Sequence, residues 1–337
     1  MKRFYCQCGQ ELFFDNSHCN HCGINLGFDP QTMMVIGVTA EEGSQNVLSF
    51  SGQRFRRCQL HEQPVGCNWL IAEDDDHQQC ISCRLTRMIP SQDTPQNQTR
   101  WQVLEKAKRR MIYGLLDLGL PIELANHPLN FDFLEDQRSN ANVAIEQVLS
   151  GHAGGVITIN AAEADSSYRE ATREAMNEPY RTLLGHFRHE IGHYYWQQIT
   201  DPELASAFSS LFGNPETDYA KALEDYYRDG PEQNWQENYI SAYASAHPLE
   251  DWAETWAHYL LMHETLETAL AFQVINAPDK EVPFSTWLSE WLQLVLVLNA
   301  LNRSIGNADA YPFVVTPAVE KKLQFIDNLV RNWATVH

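Results

Sequence analysis

Residues 185–196 read Gly-His-Phe-Arg-His-Glu-Ile-Gly-His-Tyr-Tyr-Trp, and the five positions from His189 to His193 set the fold expected of this chain. Helix positions four residues apart share one face, so the imidazoles of His189 and His193 can bind one metal ion. Glu190 lies beside that face, where a carboxylate can take a proton from the attacking water and carry it to a leaving amine. The stretch predicts a helix that holds a zinc ion, with Glu190 as general base.

The neighbouring residues decide between this metal site and a chance pattern, which would be an exposed helix with two histidines. Phe187 and Ile191 make the helix largely apolar, as a buried central helix requires. Gly192 is expected to keep side-chain bulk away from the metal. A β-branched strand at residues 154–160 lies upstream, and its edge is expected to pair with an extended substrate backbone.

A catalytic zinc site needs a third protein ligand, because the fourth position is left to water. Residues 243–258 read YASAHPLEDWAETWAH and carry the best candidates. Glu250 and Glu254 are one helical turn apart, so one can bind zinc while the other orients a ligand histidine. Asp251 is a further alternative for the third ligand. His258 follows Glu254 by four residues and could support it. His186 could touch substrate, but it is expected to be packed or solvated.

All eight cysteines lie in the N-terminal quarter of the chain, in two groups. A chain that begins MKRFYCQCGQ has no apolar signal segment, so clustered thiols are expected to bind metal rather than form disulfides. The first group has two pairs, each followed by glycine, which is typical of a closed four-thiolate zinc site. Free thiols or a redox pair are the alternatives. Its predicted ligands are Cys6, Cys8, Cys19 and Cys22.

The second cysteine group contains one regular pair and two widely spaced members. His61 lies between the spaced cysteines and could replace the first of them. The favoured set remains four thiolates, which leave no open position and so form a structural site. Its predicted ligands are Cys58, Cys67, Cys80 and Cys83. We therefore expect one catalytic and two structural zinc ions.

The charge and the apolar content of the chain limit the functions it can have. The chain has 337 residues, with 24 Lys and Arg against 44 Asp and Glu, a net charge of -20. Such a charge repels a phosphate backbone, so nucleic acid is an unfavoured partner. No run of about 18 apolar residues is present, so we expect no membrane span and a cytoplasmic location.

The chain is expected to be α+β and helix-rich, with cysteine modules before a larger domain. The predicted divisions are a zinc ribbon at 1–30, a second cysteine-rich module at 31–90, a polar linker at 91–99 and a zincin-like domain at 100–337. Apolar periodicity predicts helices at 101–118, 161–177, 180–198, 202–211, 218–229, 233–246, 249–270, 284–305 and 317–333.

The pattern Glu-x-x-Ala-acid after a distant His-Glu-x-x-His resembles the gluzincin class of zinc peptidases. That resemblance implies Glu250 as the zinc ligand and Glu254 as its support. The segment is also similar to the peptidase domain of anthrax lethal factor, in which a tyrosine seven residues before the ligand glutamate stabilises the transition state. Tyr243 stands at that position, so the resemblance implies that Tyr243 donates to the developing oxyanion.

The whole chain resembles a bacterial family of zinc-binding metallopeptidases with an N-terminal zinc ribbon. The stretches that carry this resemblance are CNWLI, GGVITINAAEAD, EPYRTLLGHFRHEIGHYYW, SAYASAHPLEDWAETWAHYLLM and YPFVVTPAVEKKL. The predicted activity is zinc-dependent hydrolysis of peptide bonds in a peptide or protein substrate. The alternatives are a zinc-binding scaffold with little turnover and a nucleic-acid-associated protein with a peptidase-like domain. Oligomeric state is not predicted.

Overall fold

The fold is taken from a computed structural model that describes residues 1–41, 46–123, 128–138, 140, 143–176, 178–276 and 282–336. The chain divides into two compact units, Met1–Arg169 and Glu170–His337. The first unit holds all strands of the described residues, and the second is built from helices. The chain is therefore α+β and helix-rich, as predicted.

The first unit begins with a short hairpin and a five-stranded antiparallel sheet in sequential order. Alternating burial along the strands gives the sheet one apolar face, where Val38, Val47, Phe55 and Leu70 pack together. The hairpin consists of β1 (Phe4–Tyr5) and β2 (Glu11–Leu12). The sheet consists of β3 (Asn25–Asp29), β4 (Met34–Ala40), β5 (Asn46–Ser49), β6 (Arg54–Arg57) and β7 (Leu70–Ala72).

The polar stretch predicted as a linker contains the start of a long helix. Strand β8 (Thr86–Met88) precedes it, and α1 (Pro95–Asp117) begins inside the stretch. The hydroxyl of Thr94 accepts from the backbone N–H of Asn97, and Pro95 occupies the first helical turn. The second half of residues 91–99 is therefore helical, because its polar residues cap and begin a helix.

The strand predicted at residues 154–160 is confirmed as β11 (Val156–Asn160), but its edge is not available to a substrate. It pairs with β10 (Gly151–Ala153) on one side and in parallel with β9 (Asn130–Leu134) on the other. The four-stranded sheet has the order β10-β11-β9-β8. The expectation that β11 offers a free edge is wrong, because neighbouring strands hydrogen-bond to both of its sides.

The second unit follows a helix that contains the division between the units, α2 (Ser166–Ala175), which is preceded by a 3-10 turn at Ala161–Ala164. Its described helices are α3 (Leu183–Trp196), α4 (Pro202–Phe212), α5 (Tyr219–Asp229), α6 (Trp235–Asn238), α7 (Pro248–Ala271), α8 (Phe284–Ser304) and α9 (Pro317–Val336). The helix predicted at 233–246 is wrong: α6 has four residues, and a separate 3-10 turn forms at Tyr243–Ala246. The helix predicted at 161–177 is likewise interrupted before α2.

Helices α3 and α7 pack closely, and Gly192 makes this approach possible. A Cβ at Gly192 would lie 3.0 Å from the Cα of Ala253 and 3.1 Å from the Cβ of Trp256. The indole N–H of Trp252 donates to the carbonyl of Gly192 at 2.8 Å, which fixes the two helices at this point. The expectation that Gly192 clears space beside a metal is wrong, because its open side receives α7.

Among the helices of the described residues, none combines the length and apolar character needed to cross a membrane.

Candidate metal centres

Helix α3 presents two imidazoles from one face. The hydroxyl of Thr182 accepts from the backbone N–H of Gly185 and starts the helix. The Nε2 atoms of His189 and His193 then lie 3.2 Å apart, on successive turns of the helix. The four-residue spacing of the two histidines therefore brings together two nitrogens that can bind one metal ion.

Helix α7 brings a carboxylate to the same point. His247 caps the helix by accepting from the N–H of Leu249, and Pro248 occupies its first position, so Glu250 falls in the first turn. Its Oε2 lies 3.1 Å from Nε2 of His189, and its Oε1 lies 3.4 Å from Nε2 of His193. Glu250 is 1% exposed. Of the three candidate acids, it is Glu250 whose carboxylate lies beside the Nε2 atoms of both histidines.

Glu254 fixes the orientation of His189. Its Oε1 accepts from Nδ1 of His189 at 2.7 Å, and its Oε2 accepts from the hydroxyl of Ser241 at 2.6 Å. Burial would raise the pKa of Glu254, but the hydrogen bond from His189 outweighs it, so the pKa is lowered and the carboxylate stays charged. This contact at Nδ1 leaves Nε2 of His189 facing Glu250.

The donor set at this point fits a zinc ion. Donor atoms about 2.0–2.1 Å from a tetrahedral zinc lie about 3.3 Å from one another. The separations here are 3.1 Å for Nε2 of His189 to Oε2 of Glu250 and 3.2 Å between the two Nε2 atoms. Oε2 of Glu250 is buried and makes no hydrogen bond within the described part of the chain. A buried oxygen beside two imidazole nitrogens is the arrangement that a bound cation satisfies.

Asp251 points away from this donor set. Its Oδ2 accepts from Nζ of Lys322 on α9 at 2.6 Å, and both side chains are buried. The alternative that Asp251 is the third ligand is wrong, because successive helix positions face different directions and Lys322 holds this carboxylate.

Glu190 is buried next to the donor set and carries a charge. The Nε2 of His186 lies 3.2 Å from its Oε1, and its Oε2 has no hydrogen-bond partner in the described ranges. Burial would raise the pKa of Glu190, but the hydrogen bond with His186 outweighs it, so the pKa is lowered. The carboxylate is therefore ionised and has a free acceptor atom. His186, predicted to be packed or solvated, is largely covered and is the partner of Glu190, since the two are one turn apart.

One tyrosine lies beside His189 and another contacts Glu250, and the sequence identified the first of them. The ring of Tyr243 lies 6.1 Å from the ring of His189. Burial and the charge of Glu250 raise the pKa of Tyr243, so its hydroxyl remains a donor at neutral pH. Tyr219, which the sequence reasoning missed, donates its hydroxyl to Oε1 of Glu250 at 2.5 Å. No local pattern marks Tyr219, because its partner is distant in sequence.

His258 belongs to a neighbouring contact. Its Nδ1 lies 2.8 Å from the hydroxyl of Tyr311, and burial lowers the pKa of His258 to about 4. It is therefore neutral at physiological pH and holds Tyr311 in the core of the second unit.

The first cysteine group forms two glycine-assisted turns. Gly9 and Gly23, each following a cysteine pair, have φ of 86° and 75°, conformations that glycine adopts without strain. The Sγ atoms lie 3.6 Å apart for Cys6 and Cys22 and 3.7 Å apart for Cys8 and Cys19, and none of the four is in a disulfide. Four sulfurs about 2.3 Å from a tetrahedral zinc are about 3.8 Å apart. This spacing fits the predicted zinc site.

The second cysteine group is fully buried. The Sγ of Cys67 lies 3.7 Å from that of Cys80 and 3.5 Å from that of Cys83. The backbone N–H of Cys80 donates to Sγ of Cys58 at 3.4 Å. Cys58, Cys67, Cys80 and Cys83 could all bind one ion. The four sulfurs form this group without His61, whose Nδ1 lies 2.9 Å from the carbonyl oxygen of Cys67, so Cys58 remains the favoured ligand.

A buried arginine balances the charge of this second group. Arg109 on α1 is 3% exposed. Burial would lower the pKa of Arg109, but the sulfur charges of Cys67 and Cys83 raise it. A zinc ion with four thiolates keeps a net charge of about -2, which a buried cation stabilises. The sequence did not indicate Arg109, since its periodicity places it only on a helix face.

Comparison with known proteins agrees with both parts of the chain. A family described as "Putative zinc-binding metallo-peptidase" matches residues 97–329, and a zinc-ribbon domain matches residues 3–94. Uncharacterized proteins of Mycobacterium tuberculosis and Mycobacterium bovis are each 40% identical over 344 residues, covering 98% of this chain and 95% of the relative. No solved structure matches. The chain belongs to this zinc-binding metallopeptidase family and carries an N-terminal zinc ribbon.

Proposed function

We propose that the second unit is a zinc-dependent peptidase that hydrolyses peptide bonds in a peptide or protein substrate. The observation that carries the proposal is the charged, buried Glu190, with one carboxylate oxygen unpaired within the described residues, beside His189, His193 and Glu250. Zinc binding alone needs the two histidines and Glu250. A buried carboxylate with a free acceptor atom is a costly feature that proton transfer explains.

His189, His193 and Glu250 would hold the catalytic zinc ion. When bound, zinc supplies Lewis-acid chemistry toward the substrate carbonyl and the attacking water. Glu190 accepts the proton of that water at a carboxylate oxygen and delivers it to the leaving amine. His186 keeps Glu190 oriented through its contact with Oε1. Because Glu190 is ionised before the reaction, it can accept a proton first and donate it afterwards.

Tyr243 is proposed to donate its hydroxyl to the oxygen that becomes negative in the transition state. Its pKa is raised, which keeps the proton available, and its ring lies beside His189. A well-placed hydrogen-bond donor of this kind stabilises the transition state by about 2.7–4 kcal/mol. Replacing Tyr243 with phenylalanine is expected to lower turnover without releasing zinc, since within the described residues its hydroxyl makes no hydrogen bond to His189, His193 or Glu250.

The two cysteine groups are proposed to bind structural zinc, so that the chain carries three ions. Each group is closed by four thiolates and has no position for substrate. Small modules of this size depend on metal for folding. Replacing His189 with alanine is therefore expected to remove one zinc ion of the three, as measured by metal analysis.

The deciding experiment compares the zinc-loaded wild-type chain with Glu190→Gln. Hydrolysis is followed with a mixture of fluorescence-quenched peptides, and zinc content by elemental analysis. We expect equal zinc content and a loss of hydrolysis of about 10²–10⁴-fold in Glu190→Gln. Glu203→Gln, which changes an exposed carboxylate on α4, is the matched control and keeps full activity.

Two outcomes would contradict the proposal. Peptide turnover that survives in Glu190→Gln would remove the assigned base. A wild-type chain that holds its zinc but cleaves no peptide or protein would favour the zinc-binding scaffold. Salt-sensitive binding to DNA would instead support the nucleic-acid-associated alternative, against which the net charge of -20 argues.

A further inference from the structure

Tyr219 is attached to the first turn of α7 by two separate contacts. Its hydroxyl donates to Oε1 of Glu250 at 2.5 Å, and its ring packs edge-on against His247, the cap residue of α7, at 5.1 Å. The residue before α5, Asp218, starts that helix by accepting from the N–H of Lys221 at 3.1 Å. Tyr219 is therefore held at the start of one helix while its hydroxyl meets the start of another.

The hydroxyl of Tyr219 makes the two oxygens of Glu250 unequal. Oε1 lies 3.4 Å from Nε2 of His193 and accepts a shorter hydrogen bond, 2.5 Å, from Tyr219. Oε2 is buried and has no hydrogen-bond partner in the part of the chain that the structure describes, although Nε2 of His189 lies 3.1 Å away. A hydrogen bond to a charged acceptor is short and strong, so it competes with any second partner of Oε1. Oε2 is the oxygen left for the metal.

We infer that Tyr219 is a positioning residue that makes Glu250 bind the metal through Oε2 alone, an inference that rests on the proposed zinc centre. A carboxylate can bind a metal through one oxygen or through both. Binding through both would fill a position that a catalytic zinc site must leave open for water and substrate. By occupying Oε1, the phenol hydroxyl keeps that position open.

The two tyrosines at this centre therefore have separate roles. Tyr219 contacts the ligand carboxylate directly, whereas Tyr243 lies against the ring of His189 and makes no hydrogen bond to Glu250 in the described structure. Loss of the Tyr219 hydroxyl should change the metal centre itself. Loss of the Tyr243 hydroxyl should change turnover and leave the metal unaltered.

The test uses the full chain with cobalt(II) in the catalytic centre and zinc in the cysteine sites. Cobalt(II) absorbs strongly in the visible region when four-coordinate and weakly when five-coordinate. We expect Tyr219→Phe to lower the intensity of these bands and to weaken zinc binding at this centre about tenfold, measured by chelator competition. A His189→Ala sample, which lacks the centre, supplies the blank.

Tyr239→Phe is the matched control. It removes a phenol hydroxyl from the same unit, but that hydroxyl donates to Glu232 at the surface at 3.2 Å. We expect its cobalt spectrum and zinc affinity to equal those of the wild type. Far-UV circular dichroism and thermal unfolding establish that Tyr219→Phe is folded, and Tyr219→Leu provides a second removal of the hydroxyl if the first variant is unstable.

The inference is overturned if folded Tyr219→Phe and Tyr219→Leu keep the wild-type cobalt spectrum and zinc affinity. It is also overturned if Tyr243→Phe changes the spectrum as much as Tyr219→Phe does. These readouts need no peptide substrate. A chain that cleaves nothing, yet shows the spectral change in Tyr219→Phe, would refute peptidase activity while keeping Tyr219 as the residue that positions Glu250.

Discussion

Replacing Gly192 with alanine would add one methyl group where α3 and α7 are closest. The new Cβ would lie 3.0 Å from the Cα of Ala253 and 3.1 Å from the Cβ of Trp256. Ala253 presents backbone at this contact, and Trp256 is 0% exposed and stacked on Tyr195 with ring centroids 4.9 Å apart. Neither neighbour can yield locally, so the two helices must move apart.

Two opposing effects set the magnitude of the Gly192→Ala change. Alanine is favoured over glycine in a helix interior by about 1 kcal/mol. Overpacking of a well-packed core costs about 1–3 kcal/mol. We expect the second effect to win because the contact is with backbone, giving a net loss of about 1 kcal/mol and a melting temperature lower by about 2–4 °C. Zinc binding should also weaken, since α3 carries His189 and His193 and α7 carries Glu250.

The assay is thermal unfolding of the zinc-loaded chain, combined with chelator competition. The matched control is Gly114→Ala, a glycine inside α1 whose Cβ would meet no atom within 4 Å. That control should gain about 1 kcal/mol, because only the helix preference changes. Equal stabilisation by Gly192→Ala and Gly114→Ala would refute the reasoning, since it would mean that α7 does not press on Gly192.

Three further results are expected. Glu254→Ala removes the acceptor of His189 Nδ1 and should weaken zinc binding at this centre about 10–100-fold in chelator competition, while the zinc of both cysteine groups stays bound. Lys322→Met leaves the buried Asp251 without its cation and should lower the free energy of unfolding by about 3–5 kcal/mol in denaturant titration. If adding Asp251→Asn to this variant restores the stability, the loss is due to the unpaired carboxylate and not to poor packing of methionine. The pKa of His258 is lowered to about 4 in the folded chain, so the unfolded chain takes up the proton first as pH falls from 6.5 to 4, and stability should fall by up to about 3 kcal/mol over this window. His258→Gln should flatten this part of the pH–stability curve, and an unchanged curve would contradict the assignment.

The cysteine groups and the histidine pair could be predicted because their geometry is local. Two histidines four positions apart on a helix must share a face, and a cysteine pair followed by glycine must turn tightly. The contacts around the histidine pair were harder to predict, because Glu250 and Glu254 come from another helix. Their spacing made these two acids candidates, and the resemblance assigned Glu250 as ligand and Glu254 as support. Their contacts with His189 depend on the packing of α7 on α3.

The local errors have physical causes as well. Residues 233–246 have helical composition, yet the chain bends between α6 and the turn at Tyr243–Ala246. The stretch at 91–99 looks like a linker because helix caps and linkers share the same polar residues. Strand β11 was placed correctly, but its neighbours in the sheet were not, since strand pairing depends on contacts between distant residues.

By itself, the sequence determined the chemistry available to this protein: a histidine pair with Glu190 between its members, two groups of four thiols and a strongly acidic surface. Residue type and short spacing are enough for these features. Tertiary structure alone decided which atoms meet. In the folded chain, Gly192 packs against α7 and Asp251 pairs with Lys322. The hydroxyl of Tyr219 donates to one oxygen of Glu250. Each of these assignments depends on the distance and direction between helices, which no local pattern of residues encodes.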